Sequence, residues 1–175
     1  MRRTLTLVGA LFLGLLTVLI AFVLGMRARS PRLLNAIRRT NRAVFNPLQM
    51  KSAGMPGAYA SVIRHNGRTS GRPYETPVGA VATDDGFVIV LVYGPHTDWL
   101  KNVLASGSAT IVNEGHTYRV DQPEVIPLEA AAAYLPANDQ RNHRLFGVDQ
   151  CLRIRRVQPP RPGRTGERRQ RWTSG

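Results

Sequence analysis

The stretch IRHNGRTSGRPYETP, residues 63–77, decides how this chain is read. Gly67, Gly71 and Pro73 fall close together, with Arg68, Thr69, Ser70 and Arg72 among them. Strand-like runs lie on either side, Ala58–Arg64 before it and Tyr74–Thr83 after it. The stretch is therefore a glycine-rich, basic, hydroxyl-rich connection between two strands. Glycine lets a backbone turn tightly and come close to a ligand. Successive N–H groups in such a turn form a nest for an anion. The planar fork of arginine suits phosphate or carboxylate. The residues alone allow two readings: a hairpin loop with solvent-facing arginines, or an anion-binding turn.

Beyond the turn, Tyr74–Thr83 leads through Asp84-Asp85-Gly86 into the apolar run Phe87–Tyr93, which is a hairpin pattern. The spacing then predicts a helix from Asp98 to Ser106, closed by Gly107. Trp99 with Val103, and Leu100 with Leu104, would bury one side of it. Ala109–Asn113 and His116–Val120 flank Glu114-Gly115 as another hairpin, and a short strand is expected near Glu124–Ile126. Leu128–Leu135 and Asn138–Leu145 read as helices, with Pro136 ending the first. Cys151–Val157 reads as a last strand. Hairpins with few helices fit a small antiparallel barrel over residues 51–157.

Upstream of that domain, Leu5–Leu24 carries no charge. About 20 apolar residues cross a bilayer core of ~30 Å as a helix. A cleavable signal has a shorter apolar region, about 7–15 residues. Residues 1–26 are thus expected to be a retained transmembrane anchor. Arginines crowd its C-terminal side, so the positive-inside rule puts the domain in the cytoplasm of a single-pass membrane protein. Residues 27–50 are expected to hold an amphipathic juxtamembrane helix, with Ser30 as cap and Pro31 in its first turn. Leu33, Leu34, Ile37, Val44 and Phe45 share one face, and Arg38, Arg39 and Arg42 the other. Asn46-Pro47 is expected to end it. Such a helix either packs on the domain or lies in the lipid interface, its arginines at the headgroups.

The net charge of +13 is unevenly placed. Twelve basic residues and no acid precede Glu75, while residues 75–150 hold four basic and ten acidic side chains. Residues 158–175 form a basic tail rich in proline and glycine, expected to be disordered. Basic ends around an acidic middle suit an anionic partner, and with an apolar span in the same chain that partner is the lipid bilayer. None of the signals of a nucleic-acid module is present. Cys151 is the only cysteine and the four histidines are scattered, so neither a disulfide framework nor a metal site is expected.

GRTSGRPYETPV, residues 67–78, resembles the GRxSGxPxxTPV signature of the deazaflavin-dependent nitroreductase family. YGPHTDWLKNVLASG, residues 93–107, is similar to that family's stretch ending in W-x-x-N-L-x-A. Two ordered blocks are more specific than either alone, and the resemblance extends over roughly residues 55–157. It implies a mainly β fold, a split β-barrel of the flavin-reductase type with helices at its rim. It also implies reduced coenzyme F420, a deazaflavin hydride donor with a phosphate and a polyglutamate tail. Family members often act as homodimers. Carried over by motif, Arg68, Thr69 and Ser70 would hold the tail's anions. Tyr74, Glu75, Thr76, Pro77, Val78 and Gly79 would run beside the deazaflavin. Leu91, Val92, Tyr93 and Gly94 would form the opposite wall. Asp98, Trp99, Leu100, Lys101 and Asn102, at a helix N-terminus, would complete the site.

The chain departs from the family pattern at Thr69, where lysine or arginine is common, at Tyr74, where arginine is frequent, and at Gly94, where some members have lysine. Each departure removes a cation that could meet the anionic tail. No nucleophile elbow, carboxylate pair or Walker loop occurs, and no catalytic side chain is assigned. That suits a redox enzyme, in which the cofactor carries the hydride. The resulting expectation is a membrane-anchored oxidoreductase with a hydrophobic acceptor, a quinone or an activated unsaturated or nitro compound. The alternatives are an FMN-dependent reductase on the same barrel and a non-catalytic module that binds a cofactor or lipid.

Overall fold

Turn chemistry at 83–86 and 113–116 folds the apolar runs around it into antiparallel pairs, and the rest of the sheet grows from these. The computed structural model describes residues 2–28 and 30–157, with backbone alone for residues 2–11, 137, 138, 142 and 144. The chain begins with α1 (Arg2–Arg27), α2 (Pro31–Thr40), a wide π-type turn (Asn41–Phe45) and α3 (Asn46–Gln49). There follow β1 (Ser61–Asn66), β2 (Pro73–Val78), β3 (Ala80–Ala82), β4 (Gly86–Val90) and α4 (Asp98–Ser106). The last part holds β5 (Ser108–Asn113), β6 (His116–Pro127), a 3-10 segment (Leu128–Tyr134), α5 (Ala137–Leu145) and β7 (Gln150–Arg156).

The strands form one antiparallel sheet in the order β2-β1-β5-β6-β7-β4-β3. Its two edges, β2 and β3, are separated in sequence by Gly79 alone. The single strand expected over Tyr74–Thr83 is therefore bent at Gly79, its first half pairing with β1 and its second with β4. The curled sheet is a mainly β half-barrel with helices, its edge strands β2 and β3 adjoining in sequence at Gly79. Inward-facing Ile63, Val78, Phe87, Ile89, Ile111, Val120, Leu152 and Ile154 fill it, and Leu100 and Val103 of α4 plug one end. The predicted bounds of α4 and its Gly107 cap hold, with Gly107 at φ 68°. Its buried pair is Leu100 and Val103, whereas Leu104 is exposed.

β4 is buried on both faces, which explains its unbroken apolar run. Val88 faces outward into a second cluster with Ile126, Leu128, Ala131, Leu135 and Cys151 beneath the 3-10 segment. Three expected bounds shift. β1 starts at Ser61 rather than Ala58, because Ala58 N–H closes a turn onto Met55 O. β4 stops at Val90, where Gly94 N–H turns back onto Leu91 O with Gly94 at φ 75°. The strand near Glu124–Ile126 is the far half of β6, past a bulge where Gln122 takes φ 51°.

Contrary to the sequence pattern, Asn46-Pro47 does not end the amphipathic helix. In the wide turn, Asn46 N–H donates to Asn41 O, five residues back. A π-type turn opens the helix just where the Pro47 ring would crowd a carbonyl and where no N–H is available to donate. The helical path therefore continues through Pro47 to Gln49.

The expected anchor lies partly among residues whose side chains are not described. Among the described residues no single helix is long and apolar enough to cross a membrane. Phe12–Arg27 and Pro31–Gln49, bent by 102° at their junction, meet the length and composition together. The C-terminal part of α1 packs back on the domain, with Phe22 edge-on to Phe146 at 6.4 Å. The basic tail, residues 158–175, lies outside the described residues.

Candidate active-site groove

The glycine-rich connection is a tight turn between β1 and β2. Gly67 N–H donates to Arg72 O at 2.8 Å, and Gly71 N–H to Gly67 O at 2.8 Å. A Cβ at Gly67 would lie 2.5 Å from Ser70 Oγ and 2.9 Å from Tyr74 Cε2, so no larger residue fits there without a shift. This compression brings Arg68 over the start of α4. The Arg68 N–H and Nη1 both donate to Asn102 Oδ1, at 3.1 and 2.9 Å, and Nη2 meets Asp98 Oδ1 at 3.2 Å. The two family-like blocks are thus locked together by Arg68 and Asn102.

Asn102 is buried, and its Nδ2 lies 3.3 Å from Nδ1 of the buried His65. Because Asn102 Oδ1 already accepts from Arg68, Nδ2 is the donor and His65 Nδ1 the acceptor. The imidazole is then neutral, with its proton on Nε2 facing Thr76 Oγ1 at 3.4 Å. Its ring stacks on Tyr74 with centroids 5.9 Å apart. Burial holds His65 below its ordinary value of 6.5, and a backbone hydrogen bond at Asn66 offsets part of that.

The pH dependence follows from that direction. The unfolded chain protonates His65 near 6.5, the folded chain only at lower pH. His65 therefore costs nothing above that value and withdraws stability as pH falls below it. The Tm of the wild type is expected to drop more steeply than that of His65→Gln between about pH 7 and about pH 5. Parallel curves would mean that His65 takes up its proton freely in the fold.

Three cavities adjoin along one side of the barrel, and Trp99 borders all of them. The first, of about 480 Å³, lies at the turn and is lined by Arg68, Thr69, Ser70, Tyr74, Glu75, Thr76, Asp98 and Asn102. The middle one, of about 580 Å³, is bordered by Thr76, Pro77, Tyr93 and Asp98. The far one, of about 510 Å³, is lined by Pro77, Val78, Gly79, Leu91, Val92, Tyr93 and Gly94. Sixteen of the eighteen motif-derived site residues thus border a single groove. The exceptions are Leu100, which lies in the barrel core, and Lys101, which is exposed and borders none of the three cavities.

The opposite wall was not legible as such in the sequence. Asn35, Arg38, Arg39, Arg42 and Asn46 line the middle cavity, and Gln49 reaches the far one. These residues recur every three or four positions, a polar stripe along one helix face. An Arg38 guanidinium nitrogen donates to Tyr93 O, and Asn41 Nδ2 donates to the Tyr93 hydroxyl at 2.9 Å. The run thus points Arg38 and Asn41 at the protein, although α2 also packs inward through the half-buried Leu33 and Ile37. Of its apolar side, Leu34 is buried, while Val44, Phe45 and Leu48 are 50%, 51% and 55% exposed. Arg38 is thus not a headgroup arginine, as the sequence pattern suggests, but part of the groove. Sequence reasoning also missed His65, although its alternation with Ser61 and Ile63 in β1 marks it as inward-facing. Asp139 and His143 of α5 close the far cavity. Cys151 is no nucleophile: burial pushes its thiol up to about 11.

Residues 35–146 match the sequence model of the family described as F420-H(2)-dependent quinone reductase. Among solved structures, one described as an F420 reductase is similar at 12% identity and a TM-score of 0.42, over 62% of this chain and 92% of that one. A second, described as the F420-H(2)-dependent reductase FDR-A, is similar at 16% identity and a TM-score of 0.38, over 54% of this chain and 92% of that one. A third, described as a domain-swapped dimer, has 12% identity and a TM-score of 0.45, over 72% of this chain and 99% of that one. No curated protein matches the chain. The family match supports F420 as the cofactor and lends no support to FMN.

Proposed function

The chain belongs to the F420-H(2)-dependent quinone reductase family, and on that premise we propose that it works at a lipid surface on a hydrophobic acceptor. The acceptor class is a quinone or an activated unsaturated or nitro compound. Oxidoreductase activity and dependence on F420 come with the family. The lipid surface and the acceptor are the proposal, and the observation that carries it is the groove beneath an outwardly apolar helix.

The groove suits the coenzyme in three respects. It is long, because its cavities adjoin past Trp99. It contains buried polar atoms without a hydrogen-bond partner: Arg38 Nε, Thr97 Oγ1 and His143 Nδ1. Such atoms in a native site call for a ligand or water to complete them. Its arginines border the middle and turn cavities, while Val78, Ile89 and Leu91 give the far cavity an apolar wall.

Bound there, the reduced deazaflavin supplies a hydride. The chain's own residues bind, orient and exclude water. Trp99 and Pro77 border both the middle and far cavities and would cover the ring where those cavities meet. Tyr93 is fixed from outside by Arg38 and Asn41, so its side of the groove is held in one position. Neutral His65 ties β1 to α4 through Asn102 and keeps the turn closed over Arg68.

Support for the lipid surface comes from the other side of the same helices. Val44, Phe45 and Leu48 leave an apolar strip in water, and α1 exposes Phe12, Leu13, Leu15, Val18 and Leu19. Apolar strips bordered by arginines have the composition of an interfacial segment. The arginines after α1 favour a cytoplasmic domain. A bilayer-dissolved acceptor could then enter without crossing water.

Titration of the purified full-length protein with F420, followed by deazaflavin fluorescence, tests the reading. Saturable binding is expected, together with reduction of a quinone analogue by the reduced coenzyme. Arg68→Ala should weaken binding through loss of its contacts to Asn102 and Asp98, which fix the turn against α4. The protein should float with anionic vesicles, and a reporter fused at Gly175 should be active only in a cytosolic format. Absence of saturable binding would sink the cofactor reading. Failure to float, or reporter activity on the outer side, would sink the membrane reading.

A further inference from the structure

We infer that the anionic tail of the coenzyme is gripped by Arg39 and Arg42 of the helical run, across the groove from the glycine-rich turn. This rests on the functional reading above. The turn is a poor source of free positive charge. Arg68 is paired with Asp98 at 3.2 Å and spends two further donors on Asn102. Arg64 is paired with Glu75 at 2.7 Å, and Arg72 lines none of the three cavities.

The opposite wall supplies what the turn lacks. Arg39 and Arg42 line the middle cavity, Arg42 also reaches the turn cavity, and neither is in an ion pair among the described residues. Beside them the buried Arg38 Nε has no partner. Among the described residues, Asp98 is the only acid bordering the middle cavity, and it is already matched by Arg68. Two guanidinium forks facing a groove with no carboxylate of their own suit a phosphodiester or a run of carboxylates. A phospholipid headgroup offers the same phosphate chemistry, so the test must separate the two sources.

The test compares the full-length wild type, the double variant R39A/R42A and Arg32→Ala, which removes one charge from the same helix outside the three cavities. Each is titrated by fluorescence with intact F420 and with the deazaflavin chromophore lacking phosphate and glutamates. R39A/R42A should bind intact coenzyme about ten- to a hundredfold more weakly and with a shallower salt dependence. It should bind the tail-less chromophore as the wild type does, and Arg32→Ala should change neither. Equal weakening for both ligands would overturn the inference, because the helix would then be a wall and not an anion grip. Unchanged coenzyme binding with reduced flotation on anionic vesicles would also overturn it and assign the arginines to headgroups. A wild type that binds neither ligand would overturn the functional reading, and this inference with it.

Discussion

Asn102→Leu is expected to melt well below the wild type and to lose most of its affinity for the coenzyme. The leucine keeps roughly the volume but removes every polar contact of a buried amide. Arg68 loses the acceptor for its N–H and Nη1, and His65 loses the donor to its Nδ1. Each buried group left unsatisfied costs about 1–3 kcal/mol. The Arg68 guanidinium is partly exposed and recovers water, so the sum expected is about 2–4 kcal/mol, a large part of a typical domain's stability. Binding suffers separately, because nothing then fixes the turn against α4. Asn102→Asp keeps an acceptor for Arg68 but cannot donate to His65, so it should fall between the two. Thermal melts followed by circular dichroism, with coenzyme titration at a temperature where all three are folded, check both effects. A leucine variant with the wild-type Tm would mean that water replaces the network at no cost.

The second large effect is structural. Gly86→Val should leave no cooperatively folded protein. Gly86 opens β4 and pairs with Arg155 of β7. A Cβ there runs into the Ile154 carbonyl oxygen and lies 2.8 Å from Arg155 Cα. Both atoms belong to backbone, so no side chain can rotate away. Relief would require parting β4 from β7, which breaks ladder hydrogen bonds and opens the core around Phe87 and Ile154. Overpacking alone typically costs about 1–3 kcal/mol, and the broken pairing adds to it. Gly107→Ala is the contrasting case, since its Cβ would meet nothing within 4 Å and only the φ of 68° opposes it. That change should cost about 1–2 kcal/mol. A Gly86→Val protein with a sharp transition near that of Gly107→Ala would show that the strand pair can move apart cheaply.

Local signals determined much of this protein. Asp98–Ser106 with its Gly107 cap, the hairpins around 83–86 and 113–116, and the last strand all depend on residues within a few positions of one another. Hydrogen bonds that close over such short distances are written in glycine, aspartate and apolar spacing. The family-like blocks added a fold and a set of candidate residues, and most of those border one groove. Other features needed the folded chain. Only tertiary pairing makes β2 and β3 the two edges of one sheet, because register depends on partners scattered along the chain. Only it brings Asn102 to His65 and Arg68, more than thirty residues away. The helical run gives the sharpest contrast. Its sequence fixes two faces, but which one meets the protein depends on what the protein offers. A core draws the apolar face inward. That holds in α2, where Leu34 is buried and Leu33 and Ile37 are half-buried, but the barrel also presents a groove and the Tyr93 carbonyl, so Arg38 and Asn41 turn inward while Val44, Phe45 and Leu48 are left outside.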